Sequence, residues 1–126
     1  LREPEQKRPH FAHPIEEVFA QILDYYGVEW HYEPRTFSLE WDKDGQVTVA
    51  FSPDFYLPQQ DLYIELTTLR PHLSRLKNRK MRRMRELYPD INIKLLKRQD
   101  IRDMMVKFGL DEEASRLFGT LAQEPT

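Results

Sequence analysis

Apolar positions along this chain change period twice, and those changes divide it into elements. Residues 1–12 are polar, contain two prolines and read as a loose tail. Pro14 can open a helix at its first turn. Ile15, Val18, Phe19, Ile22, Leu23 and Tyr26 then recur at helical spacing, and Gly27 ends the run. Val28 to Tyr32 is short and β-prone. Thr36 to Trp41 alternates as a strand with Phe37, Leu39 and Trp41 on one face, Asp42-Lys43-Asp44-Gly45 supplies a hairpin turn, and Gln46 to Phe51 returns. Pro53 can end a strand but not occupy its middle, and Leu62 to Thr67 is a further strand.

The helical period resumes from Pro71 to Leu87 and stops at Tyr88-Pro89-Asp90. Ile91 to Leu96 is a short strand that must run parallel to an earlier one, because a helix intervenes. Asp100 is expected to cap a helix running to Phe108 and ended by Gly109, and Asp111 to cap a last short helix to about Leu121. The order is α-β-β-β-α-β-α, without internal repeats: an α/β (α+β) chain with a mixed sheet flanked by helices and extra C-terminal helices. The expected division is a tail at 1–12, one domain at 13–110, and a short helix with linker at 111–126.

Composition narrows the chemistry. There is no cysteine, which removes disulfides, thiol nucleophiles and Cys-containing zinc sites. Four glycines form no phosphate-cradling loop, and no serine lies in a nucleophile-elbow setting. No apolar run approaches membrane-spanning length and nothing resembles a secretory signal, so the expectation is a cytoplasmic protein without membrane association. Leu1 at the start and the tail Ala122-Gln123-Glu124-Pro125-Thr126 fit a piece of a longer chain. The net charge of −2 hides an asymmetry: residues 1–69 carry 5 basic and 13 acidic side chains, residues 70–126 carry 14 and 8. Arg70 to Arg85 holds eight basic residues and no acid. Such a block is a phosphate-binding face or simply a solvated helix.

The acids carry the sharper signal. Asp54 follows Pro53 in Ser52-Pro53-Asp54-Phe55-Tyr56-Leu57-Pro58, and Glu65 sits inside the apolar strand Leu62-Tyr63-Ile64-Glu65-Leu66-Thr67. A β-hairpin would bring the two together. A carboxylate in a strand core is costly unless a positive group meets it, and a divalent metal is the simplest partner. On the helix from Pro71, Leu73, Leu76, Met81, Met84 and Leu87 make one stripe, with Arg79, Arg82 and Arg85 on other sides. Lys77 and Lys80 project into that stripe. Either their stems pack while the heads reach water, or the heads meet Asp54, Glu65 or a phosphate. Glu16 flanks the stripe of the first helix while Glu17 points away. It is either an ordinary first-turn acid or part of the same site. Trp30, His31 and Tyr32, with Phe55 and Tyr56, read as core and strand-edge packing. His10 and His13 lie too near a loose terminus to serve as ligands, and His72 reads as a polar residue at a helix start.

With Pro53-Asp54 and Glu65-Leu66-Thr67 in this element order, the chain resembles the PD-(D/E)xK nuclease superfamily. Glu16 to Leu23, ending at Gly27, is similar to the acidic first helix of its Holliday-junction-resolvase branch. The resemblance covers roughly residues 13–108. It implies a restriction-endonuclease-like αβββαβ core, with Mg²⁺ or Mn²⁺ held by Asp54, Glu65 and the Leu66 carbonyl and Glu16 nearby. Thr67 stands where that family usually carries lysine. A hydroxyl supplies no positive charge, so Lys77 or Lys80 from the following helix is expected to take the role. The function implied is metal-dependent hydrolysis of DNA, with Arg75, Arg79, Arg82, Arg83 and Arg85 on the phosphates. The alternatives are a catalytically degenerate nuclease-fold module that binds nucleic acid or a partner domain, similar to a segment preceding purine phosphoribosyltransferase domains, and a scaffold or homodimer using Leu117 and Phe118.

Overall fold

The fold is a mixed α+β structure, seen in a computed structural model that describes residues 8–67 and 75–107. Helix α1 (Pro14–Tyr25) begins where the sequence can start a helix. His13 has an extended backbone, and its Nδ1 accepts the Ile15 N–H at 3.1 Å. At the other end Gly27 turns left-handed (φ 66°). Its N–H donates to the Asp24 carbonyl at 3.0 Å and the Val28 N–H to the Leu23 carbonyl at 2.9 Å, the double bond that closes a glycine-terminated helix. Tyr26, expected on the buried stripe, is the C-cap itself and is half-exposed, because the helix has ended before its side chain can face the core.

The remaining elements are β1 (His31–Tyr32), β2 (Phe37–Trp41), β3 (Val47–Phe51), β4 (Phe55–Leu57), β5 (Leu62–Leu66), α2 (Arg75–Leu87), β6 (Ile93–Leu96) and α3 (Arg98–Lys107). They form a four-stranded mixed sheet in the order β1-β4-β5-β6 and a separate β2–β3 hairpin. Strand β4 pairs antiparallel with both β1 and β5, while β5 and β6 are parallel, as the intervening helix requires. The hairpin that faces Asp54 toward Glu65 is β4–β5. Its first strand is only three residues long and does not stand out in the apolar pattern. Pro53, which has no N–H to give a ladder, separates β3 from β4.

Trp41 does not share the buried face of Phe37 and Leu39. Register shifts between Ser38, Glu40 and Trp41 break the alternation there, and Trp41 is exposed. The turn below it is held by the Asp42 carboxylate, which accepts the Asp44 and Gln46 N–H groups at 2.8 and 2.9 Å. Asp100 is not the N-cap of α3 but its third residue. Its carboxylate reaches back to accept the Lys97 N–H at 2.9 Å. Residues 8–12, read as tail, lie against the domain: Arg8 pairs with Asp24 at 2.8 Å and Phe11 packs among Trp30, Tyr32 and Phe55. The expected helix start at Pro71, with His72 and Leu73, the α3 end at Phe108 and Gly109, the helix from Asp111, and Leu117 and Phe118 lie outside the described residues.

Two cores flank the sheet. One joins Ile15, Phe19, Ile22 and Leu23 of α1 to Phe55, Ile64, Leu66, Leu96 and Ile101. The other joins Tyr63 to Phe37, Leu39 and Phe51 of the hairpin and to Met81 and Met84 of α2. Strand β5 is therefore covered on both sides, and the two-residue alternation sends Ile64 and Leu66 toward α1 and Tyr63 toward α2. Glu65, two residues from Tyr63, falls on the α2 side. Among the described residues no helix is long and apolar enough to cross a membrane.

A Cβ added at Gly27 would meet no atom within 4 Å, so a substitution there tests backbone conformation alone. Gly27→Ala is expected to cost about 1 kcal/mol, and Gly27→Asn clearly less. Urea midpoints of the two variants check this.

Candidate active site

Asp54 sits between buried Pro53 and the first residue of β4, and the antiparallel ladder sets it across from Glu65. The two are laced through the backbone. The Asp54 N–H donates to Glu65 Oε1 at 3.1 Å, and the Leu66 N–H donates to Asp54 Oδ2 at 2.9 Å. Both side chains are buried, at 7% and 5% exposure. Burial, then the charge of Glu65, pushes the Asp54 carboxyl up to about 8. The Leu66 N–H and Lys77 act in the opposite direction, and Glu16 adds to the rise.

Lys77 reaches this pair from α2. Its Nζ lies 2.8 Å from Glu65 Oε2 and donates to the Leu66 carbonyl at 2.6 Å. Lys80 does something else: its ammonium lies over the Phe51 ring, 6.0 Å from the centroid. The inward line of α2 runs through Lys77, Met81 and Met84 and is continued by Tyr88 just past its end, whereas Leu76, assigned to the stripe by spacing, is 56% exposed and Leu87 is also exposed. Met81 and Met84 hold the expected face, while Lys77 is turned in to meet Glu65 and the Leu66 carbonyl and Leu76 beside it is turned out. Thr67 is buried, and its N–H donates to the Leu96 carbonyl at 2.9 Å, extending the β5–β6 pairing.

Glu16 is buried at the start of α1. Its Oε1 accepts the Tyr32 hydroxyl at 2.6 Å and the Ala12 N–H at 3.1 Å. The Tyr32 hydroxyl is thereby held protonated, by burial first and by the Glu16 bond second. Two participants have no mark in the sequence. Tyr32 reads there only as packing, and Glu33 belongs to the same packing stretch. Yet the Glu33 N–H donates to the Asp54 carbonyl at 2.9 Å from a left-handed backbone (φ 45°) that non-glycine residues seldom adopt. Its carboxyl is raised by burial, then by the charges of Glu16 and Glu65. What gathers them is the pairing of β1 with β4, a contact between residues far apart in sequence.

The arginines of α2 divide. Arg79 makes a two-pronged pair with Glu40 of β2, and Arg83 donates to the Leu39 carbonyl at 2.9 and 3.3 Å. Arg75, Arg82 and Arg85 are exposed. The first two thus clamp the hairpin to the helix, and the other three face outward.

Among the described residues no three His, Cys, Asp or Glu side chains form a group that could hold a metal ion. The oxygen set of Asp54, Glu65 and the Leu66 carbonyl still has the chemistry that hard divalent cations prefer. No protein-family model, no curated protein and no solved structure matches the chain.

The raised Asp54 carboxyl has a consequence for stability. Unfolded, the group titrates near its ordinary 3.8; folded, it holds its proton up to about 8. Across that window the folded state binds a proton the unfolded state lacks, so stability falls as pH rises. Asp54→Asn keeps an acceptor for the Leu66 N–H and removes this slope. Between about pH 5 and pH 9, in chelator, the native protein is expected to lose on the order of 1–3 kcal/mol more than the variant, read from urea unfolding.

Proposed function

We propose that the protein is a metal-dependent phosphodiesterase of the PD-(D/E)xK kind, with a restriction-endonuclease-like core, that cleaves nucleic acid, DNA in the first instance. The observation that carries this reading is the convergence of Asp54, Glu65 and Lys77 at one end of the β4–β5 hairpin. The element order supports it too: a helix, antiparallel strands, a helix and a parallel strand.

Each residue has a role that its surroundings suit. Asp54, Glu65 and the Leu66 carbonyl would hold Mg²⁺ or Mn²⁺, which when bound supplies Lewis acidity toward a phosphoryl oxygen and an attacking water. Lys77 brings the positive charge that Thr67 cannot. Its stem is flexible and partly open to solvent, so its ammonium would turn to offset negative charge developing on a phosphate. Glu16, steadied by Tyr32 and the Ala12 N–H, is available to order water beside the pair. Exposed Arg75, Arg82 and Arg85 would bind backbone phosphates, while Arg79 and Arg83 serve the fold.

A second reading is favoured by one observation: Lys77 already neutralises Glu65, so the pair is electrostatically complete without a metal. On that reading the chain is a non-catalytic nuclease-fold module that binds nucleic acid or an attached domain.

Supercoiled plasmid with Mn²⁺ separates the two. The native chain is expected to nick it, and Asp54→Ala and Lys77→Ala each to lower the rate by about 100-fold or more. Absence of nicking under any metal leaves the module. For DNA binding, exchanging Arg82 and Arg85 together for Ala is expected to reduce the slope of log affinity against log salt by about two. Arg79→Ala would instead lower stability and leave the slope nearly unchanged.

A further inference from the structure

We infer that the Lys77 ammonium is the resident cation of the acidic pair, and that a divalent metal gains the site only by displacing it. The inference rests on the metal-dependent reading above and adds to it an internal competitor.

The oxygens are already committed. Of the two Glu65 carboxylate oxygens, Oε1 accepts the Asp54 N–H and Oε2 faces Lys77 Nζ at 2.8 Å. The Leu66 carbonyl receives the same ammonium at 2.6 Å. On the Asp54 side, Oδ2 accepts the Leu66 N–H. The ammonium therefore spans the very pair, Glu65 and the Leu66 carbonyl, that a divalent ion would need together. A divalent ion that drew on the same Glu65 and Leu66 oxygens would stand close to Nζ, cation beside cation. Beside a carboxylate that is itself buried, the repulsion between like charges opposes holding both.

The exchange is feasible because of where Lys77 starts. Its side chain is 30% exposed while that of Glu65 is only 6% exposed, so the lysine has a route to water and the carboxylate does not. A lysine stem is long and flexible, and a strongly hydrated ammonium is stable once outside. No bond is made or broken and no proton need move: the ammonium swings off its oxygens to the solvent side of the site, where it would face an incoming phosphate, and a divalent ion takes its place. The wild-type affinity for metal is then the intrinsic affinity reduced by the fraction of molecules in which the ammonium is seated.

Two measurements on the whole chain test this. In trace acetylation followed by mass spectrometry, Lys77 should react more slowly than exposed Lys94 and Lys97 in chelator, and should speed up when Mn²⁺ is added. In Mn²⁺ calorimetry, Lys77→Met should bind about tenfold more tightly than the native protein, or better. Asp54→Ala should abolish binding. If Lys77 reacts as fast as Lys94 in chelator, the ammonium is not seated and the inference falls. If Mn²⁺ binds both proteins equally, or binds without releasing Lys77, the competition falls and the metal-dependent reading stands. If neither protein binds Mn²⁺, the metal-dependent reading falls and takes the competition with it. Should Lys77→Met fail to fold, the acetylation of the native chain decides alone.

Discussion

The ion pair between buried Glu65 and half-buried Lys77 is the constraint around which the rest is arranged. A carboxylate in the middle of a strand covered on both faces would ordinarily be intolerable. Here one oxygen receives a backbone N–H and the other an ammonium, so the charge stays in the core and is matched. The same placement of α2 that seats Lys77 leaves Leu76 outward and puts Met81 and Met84 in the second core. One helix position thus satisfies the acid and completes the packing.

Asp54 is handled differently. It is as buried as Glu65 but receives only a backbone N–H on the oxygen facing Leu66, with Lys77 acting on it at longer range. Two neighbouring carboxylates with a single ammonium between them cannot both carry charge cheaply, and Asp54 is the one that gives way. The pair is thereby asymmetric: Glu65 is in direct contact with the ammonium, whereas the Asp54 carboxyl is pushed up by burial and by Glu65. Such asymmetry is what proton-transfer and cation-binding sites share, and it underlies the catalytic proposal more than the short Pro-Asp motif does.

Much of this was legible in the sequence, for local reasons. An acid within an apolar strand and a lysine within an apolar helical stripe are each anomalies against a regular period, and both anomalies resolve into the same contact. The parallel placement of β6 followed from the helix before it. What could not be read depends on pairing between distant segments. Glu33 and Tyr32 reach the site because β1 joins β4, and nothing within either short strand announces that partner. Lys80 looked equivalent to Lys77 on the stripe, but three residues of helical rotation carry it to Phe51. Trp41 left its expected face because a bulge interrupts the alternation that assigned it there. The five arginines could not be sorted from spacing alone either, since the acceptors of Arg79 and Arg83 lie on a hairpin about forty residues earlier.

That hairpin shares no ladder with the main sheet, yet it is fastened to α2 and the residue that follows it: Glu40 to Arg79, the Leu39 carbonyl to Arg83, and the Ser38 carbonyl to the Tyr88 hydroxyl at 2.9 Å. Strands β2 and β3 and helix α2 thus form one layer, packed on the face of the sheet that carries Tyr63. The helix that delivers Lys77 is anchored from two directions, by the sheet beneath it and by the hairpin beside it, so cutting the hairpin's ties would loosen a contact to which the hairpin itself contributes no atom.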